Sequence, residues 1–309
     1  MDALKPLGKL IAVGGNEDKG TYANPNPRRR KKYYLNFFEL GILKRVVLES
    51  GKADPRIEVV TTASMIPEEV GAIYVSSFGM LNCLNVGVLD IRVPADTDQP
   101  EYLQRLAAAD IIMFSGGDQS RLKEMFGGTR FLELLTTRYQ QEPNFVIAGT
   151  SAGAMAMSQI MIRGGSVPEA LMKGAVKMGT GLALIQNVVI DSHFVKRGRF
   201  GRLIEAVGLH PRLIGIGLGE DTGVLIREGN LIETIGSNLV IIIDGHNIRH
   251  NNTPGAAKGT ALSIENMTMH VLAKGNVYDI RERKFFVDKR THDEAFGPTA
   301  AAITTPAVS

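Results

Sequence analysis

Short runs of apolar, largely β-branched residues recur along the chain with helix-like stretches between them, and this alternation restricts the fold more than any other feature. The runs Lys9–Val13, Ile57–Thr61, Val88–Val93, Ile111–Phe114, Phe145–Ala148, Val188–Asp191 and Leu213–Leu218 read as strands. Tyr33–Ser50, Pro67–Leu81, Pro100–Ala108, Arg130–Gln140, Ala152–Met161 and Arg199–Val207 read as helices between them. Strands that are apolar on both faces and separated by helices belong in a mostly parallel sheet with helices on both faces, an α/β fold. After Asp221 the rhythm changes. Gly223–Arg227, Leu231–Ile235, Val240–Asp244, Met269–Ala273 and Lys284–Val287 read as strands joined by turns such as Glu228-Gly229-Asn230, which adds antiparallel strands in the C-terminal half. The expectation is one α/β domain over residues 1–297 and a disordered tail over 298–309, where the side chains are small and prolines recur.

The remaining totals exclude more than they assign. Charged residues make up 22% and the formal charge is +3, which gives no reason to expect nucleic acid or a membrane surface as partner. One basic run, Arg28-Arg29-Arg30-Lys31-Lys32, reads as a solvated loop. The single cysteine, Cys83, excludes an intrachain disulfide and fits a reducing compartment. Met1–Leu10 has no apolar signal segment, and no run approaches the roughly 20 apolar residues that span a bilayer. A cytoplasmic location follows as the expectation.

The chemistry concentrates at Gly149-Thr150-Ser151-Ala152-Gly153, a G-x-S-x-G pattern between the strand Phe145–Ala148 and an Ala- and Met-rich helix. Alone the pattern is weak, and a serine capping a helix would satisfy it. Between a buried strand and a helix it reads as a nucleophile elbow, with Ser151 as the nucleophile. The turn closes only if its neighbours are small, as Gly149 and Gly153 are. The helix start behind Ser151, from Ala152 on, directs amides toward a developing oxyanion. A second glycine turn, Ser115-Gly116-Gly117-Asp118-Gln119, follows the strand Ile111–Phe114; Gly116 and Gly117 offer further amides and Gln119 a substrate contact. Gly14-Gly15-Asn16 is a third, again at a strand's carboxyl end, where open α/β sheets place their sites.

A serine hydroxyl needs a base. Of six histidines only His193 ends a buried run, Val188-Val189-Ile190-Asp191-Ser192-His193. Two carboxylates compete to orient it: Glu220, closing the apolar run Ile214–Gly219, and Glu169, in the loop after the elbow helix. Glu220 stands on the firmer scaffold and is favoured; Glu169 is retained as its rival.

The combination of Gly149–Ala154, Asp191-Ser192-His193-Phe194, Arg197-Gly198-Arg199-Phe200-Gly201-Arg202-Leu203, Ser115–Gln119 and Gly215–Thr222 resembles the cyanophycinases of peptidase family S51, in consistent order over about Lys9 to Ile243. The resemblance implies a fold like the class I glutamine amidotransferases and aspartyl dipeptidases, a Ser-His-Glu apparatus, a homodimer, and no metal or organic cofactor. It implies cyanophycin as substrate, a poly-aspartate chain with arginine on each β-carboxyl group, and the β-aspartyl-arginine dipeptide as product. Carried over by position, Ser151 is the nucleophile, His193 the base and Glu220 or Glu169 the acid, while Gln119, Asp191, Ser192, Arg197, Arg199 and Arg202 line the substrate site. Family members usually carry glutamine at the position of Ser192, which bears on the choice of substrate. Arg199 and Arg202, three apart, would share a helix face and fork onto carboxylates, and Asp191 would receive a guanidinium. An aspartyl or isoaspartyl dipeptidase with the same apparatus is the alternative. A non-catalytic binder of anionic ligands through Arg28–Lys32 is a distant one.

Overall fold

In the computed structural model, which describes residues 5–20, 36–165 and 167–287, the apolar runs do form a parallel core. Strands β1 (Lys9–Val13), β2 (Ile57–Val60), β3 (Val86–Leu89), β4 (Ile111–Phe114) and β5 (Val146–Thr150) lie in the order β1-β5-β4-β2-β3, each parallel to its neighbour. On the other side of β1 the antiparallel strands Thr222–Arg227, Leu231–Gly236, Asn276–Asp279 and Lys284–Val287 continue the same nine-stranded sheet.

The period of two sorts these strands' side chains between two buried layers. Ile11, Val13, Ile111, Met113, Val146 and Ala148 point to one face, against helices α1 (Ile42–Glu49) and α2 (Pro67–Met80). Leu10, Ala12, Ile112, Phe114 and Ile147 point to the other, against α3 (Pro100–Ala108), α4 (Gln119–Phe126) and α5 (Arg130–Gln141). Each Val, Leu, Ile, Met or Phe among them contributes about 1.5–3 kcal/mol on full burial, so the register of the sheet is strongly specified.

Past the short helix α6 (Ala152–Ala156), the strands β6 (Ile160–Gly165) and β7 (Val176–Thr180) form a hairpin. Strands β8 (Val188–Asp191) and β9 (Ile214–Leu218), joined through helix α7 (Phe200–Leu209), are parallel to each other but stand outside the main sheet. They belong to a second, four-stranded sheet completed by Val240–Asp244 and Thr268–Leu272. The two sheets meet at the carboxyl ends of β1 and β9. There the His193 amide donates to Gly14 O, the Asp221 amide to Gly15 O and the Gly14 amide to Thr222 O.

Several boundaries differ from the sequence reading for identifiable reasons. The elbow helix stops at Ala156, not Met161, because the carbonyls of Ala156, Met157 and Ser158 accept from the amides of Leu182, Ile185 and Ala183. The third strand ends at Leu89, not Val93, because the Asp96 carboxylate draws the Arg92 and Val93 amides into a turn. Helix α1 begins at Ile42, since the amides of Glu39, Leu40 and Gly41 all turn back to Asn36 O. Helix α4, absent from the sequence reading, is capped by Asp118, whose side chain accepts from the Ser120 amide. The basic run Arg28–Lys32, the start of the expected helix at Tyr33 and the tail at 298–309 lie outside the described residues. Among those described, no helix is long and apolar enough to cross a membrane.

Candidate active site

Ser151 sits between β5 and α6 with φ +50° and ψ −107°, a conformation that costs an ordinary residue about 1–3 kcal/mol. The surroundings enforce it. A Cβ on Gly149 would lie 2.7 Å from the Gly153 backbone, and one on Gly153 would lie 2.6 Å from Phe114 O, so the turn closes only over two glycines. The Ser151 amide donates to Val13 O at 2.8 Å, which ties the elbow to the end of β1.

His193 meets this hydroxyl from the end of β8. Its Nε2 is 3.1 Å from Ser151 Oγ and its Nδ1 is 2.9 Å from Glu220 Oε1. With a carboxylate on Nδ1 the proton belongs there, which leaves the Nε2 lone pair facing the hydroxyl. Glu220 Oε2 accepts from Lys196 Nζ at 2.9 Å. Burial would raise the Glu220 carboxyl, but Lys196, His193 and the Asn16 side chain outweigh it and hold its pKa down at about 2. The histidine is pushed the other way. Burial, helped by Arg197, lowers its pKa below 6.5 against the opposing pull of Glu220. The imidazole is therefore neutral at pH 7 and free to accept a proton. Peptide hydrolysis is expected to fall only as pH drops through the histidine's depressed pKa, so the acid limb of kcat/KM against pH should lie below 6.5. A limb above that value would mean that another group acts as the base.

Gly15 holds the imidazole from above. With φ +105° it lets the 14–20 loop press on the ring so closely that a Cβ would stand 2.3 Å from His193 Cε1 and 2.5 Å from Nε2. Gly15→Ala is expected to swing the ring off Ser151 and cut kcat by about 100-fold, the effect of an ångström's misplacement. Kinetics alongside a melting curve would separate this from loss of fold.

Ser151 and His193 open onto a cleft of about 440 Å³, also bordered by Gly15, Asn16, Gly116 and Gly117, with Lys19 and Arg197 as its cations. Glycine is required at 117, where φ is +144° and a Cβ would lie 1.9 Å from Ala63 O. At Gly116 a Cβ would sit 3.5 Å from Ser151 Cβ, in the space beside that side chain. Ala152 is buried at the start of α6, directly after the serine.

The other residues singled out in the sequence lie around this cleft rather than in its lining. Asp191 is fully buried and takes both Arg202, through Nε at 2.8 Å and a second bond from Nη2, and Arg199 Nη1 at 3.1 Å. Arg199 stands at the N-cap of α7 rather than within it, and Arg202 lies in its first turn; both reach the same carboxylate, which is the protein's own. Arg199 Nη1 also donates to Ser192 O at 2.7 Å, so this network braces the backbone one residue before the imidazole. Ser192 is buried; its hydroxyl donates to Met155 Sδ at 3.2 Å and lies 3.5 Å from Ser151 Oγ. Gln119 spends its amide on Ile162 O at 2.8 Å and Arg163 O at 3.0 Å, tying α4 to β6. Glu169 is exposed in the 167–171 segment, while Nδ1 of His193 is engaged by Glu220. Among the described residues no cluster of His, Cys, Asp and Glu is arranged to hold a metal ion.

Sequence reasoning missed Glu17, Lys19 and Tyr74 in the cleft and Lys196 on Glu220. The signal for the first two was present. Glu17 and Lys19 directly continue the glycine turn at the carboxyl end of β1. Tyr74, on the opposite helix, gave none.

Residues 40–234 match the sequence profile of Peptidase family S51. The chain is 33% identical over 242 residues to a cyanophycinase of Trichormus variabilis, covering 78% of this chain and 81% of that protein. It is 34% identical over 238 residues to a cyanophycinase of Geminocystis herdmanii, covering 77% and 87% respectively. Among solved structures, a peptidase from an acI-B1 Actinobacterium superposes with a TM-score of 0.60 at 20% identity, covering 89% of this chain and 98% of that one, a likeness of fold. A family match of this extent, together with relatives aligned over most of their length, settles membership: the chain is a peptidase and belongs to peptidase family S51.

Proposed function

We propose that the protein is a serine peptidase that hydrolyses cyanophycin to β-aspartyl-arginine dipeptides through an acyl-enzyme at Ser151. The observation that carries the reading is the hydrogen-bonded line from Ser151 Oγ through the His193 ring to Glu220, at 3.1 and 2.9 Å, opening into a cleft with two cations. The cyanophycinase relatives supply the substrate. His193 Nε2 takes the serine proton as Oγ attacks the scissile carbonyl, then returns it to the departing amine. Water follows the same route in reverse, forming a new bond to the acyl carbon and releasing Ser151. The Ala152 amide, at the start of α6, and the Gly116–Gly117 backbone are assigned to the oxyanion. Glu220 fixes the imidazole tautomer, and the Asp191–Arg199–Arg202 network positions the segment that carries His193. We assign the working state to a homodimer in the cytoplasm, which light scattering of the purified protein and fractionation of its cells would test.

The reading is tested by incubating the protein with purified cyanophycin and identifying the released fragments by mass. β-Aspartyl-arginine as the main product is expected. Release from short Asp-X peptides with cyanophycin left untouched would replace this reading with an aspartyl dipeptidase.

A further inference from the structure

Within the cleft, but apart from the Ser151–His193–Glu220 line, lies a second polar cluster that no step above uses. Tyr74 donates its hydroxyl to Glu17 Oε1 at 2.6 Å, and Thr150, the residue before the nucleophile, donates to Oε2 at 2.6 Å. Lys19 completes the set, with Nζ 3.0 Å from Glu17 Oε1 and 5.3 Å from the centroid of the Tyr74 ring. Burial alone would raise the Glu17 carboxyl, but Lys19, Thr150 and Tyr74 outweigh it and keep it below its ordinary value. Glu17 is a fixed anion with no surface to offer a ligand: its side chain is 0% exposed, against 25% for Lys19. The ammonium carries three donors, of which Glu17 uses one, and Lys19 lines the cleft together with Val70 and Ile73. Clamped between a carboxylate and an aromatic face, it has little side-chain freedom left to lose on meeting an anion.

The direction of the cleft gives this cation its place. The 14–20 loop crosses from the imidazole, on which Gly15 packs, to α2, where Lys19 stands over Tyr74. Return of the proton from the imidazole to the leaving amine would set the leaving half of a substrate on that side, near Arg197, and leave the Lys19 end of the cleft to the acyl half.

We infer that Lys19, held in place by Glu17 and Tyr74, is a specificity-determining residue that takes a free carboxylate carried by the acyl half of the substrate. This rests on the function proposed above, and in a β-aspartyl-arginine unit the carboxylate is that of the arginine. The test uses the full chain carrying Ser151→Ala and measures, by calorimetry, binding of β-aspartyl-arginine and of the same dipeptide with its arginine carboxyl amidated. The free acid is expected to bind about tenfold tighter or better, the usual margin for a charge-assisted hydrogen bond. Adding Lys19→Met should reduce the preference to about twofold or less. Lys19→Gln, which keeps a donor for Glu17, should do the same and serves if melting shows that the methionine variant does not fold. The role of Lys19 is overturned by equal binding of the two dipeptides, by binding of neither, by a preference that survives both neutral variants, or by a preference lost in Arg197→Met instead. Failure of the substrate reading looks different: the unmodified protein would then leave cyanophycin intact whatever the dipeptides do.

Discussion

Replacing Ser151 with alanine is expected to reduce dipeptide release from cyanophycin by about four to six orders of magnitude, the range found when the nucleophile of a serine peptidase is removed. No neighbouring hydroxyl stands in for it. Ser192 Oγ is 3.5 Å away, but it is buried and donates to Met155 Sδ, while Thr150 Oγ1 is committed to Glu17 at 2.6 Å. The fold should be nearly unaffected. Alanine inherits the same strained turn, and the only bonds lost are those of one hydroxyl, together about 0.5–1.5 kcal/mol. The melting temperature of the variant and its product yield by mass, measured on one preparation, check both halves. Undiminished release by a folded Ser151→Ala protein would remove Ser151 as the nucleophile.

Much of this arrangement could be read from the sequence because it rests on strands buried on both faces. A run such as Ile111-Ile112-Met113-Phe114 has no polar side to leave in water, so its place in the sheet follows from composition alone. The same logic put Ser151, His193 and Glu220 at strand ends. Elements decided by distant partners were not legible. The elbow helix is cut to Ala152–Ala156 by amides arriving from residues 182–185, which no local pattern announces. Strands β8 and β9 carry the same apolar signature as the main sheet and yet form a second one. Asp191, Arg199 and Arg202 have the composition of a ligand site, but burial turns them into a brace. Tyr74 reaches Glu17 across 57 residues of sequence, and nothing in α2 marks it.

Glu220→Gln is the substitution that divides the two candidate acids. The amide oxygen of glutamine can still accept from Nδ1–H, but its NH₂ can instead donate to Nδ1, which places the ring proton on Nε2 and leaves no lone pair toward Ser151. Loss of the correct tautomer with geometry kept is expected to lower kcat by about 10³–10⁴-fold. A second readout separates this from mere disturbance. In the native protein Glu220 is held at a pKa of about 2, so it is ionised across the working range and supports the histidine's affinity for a proton. Removing its charge leaves burial and Arg197 unopposed, so the His193 pKa should fall further below 6.5 and the acid limb of the residual activity should move to lower pH. Folding should change little, because the other partner, Lys196, is 66% exposed and solvent replaces the lost pair. Glu169→Gln, at an exposed position in the 167–171 segment, is expected to leave both kcat and the limb where they were. The opposite pattern, with Glu169→Gln silencing the enzyme and Glu220→Gln sparing it, would transfer the tautomer-fixing role to Glu169 and require the loop that carries it to close over His193 during turnover.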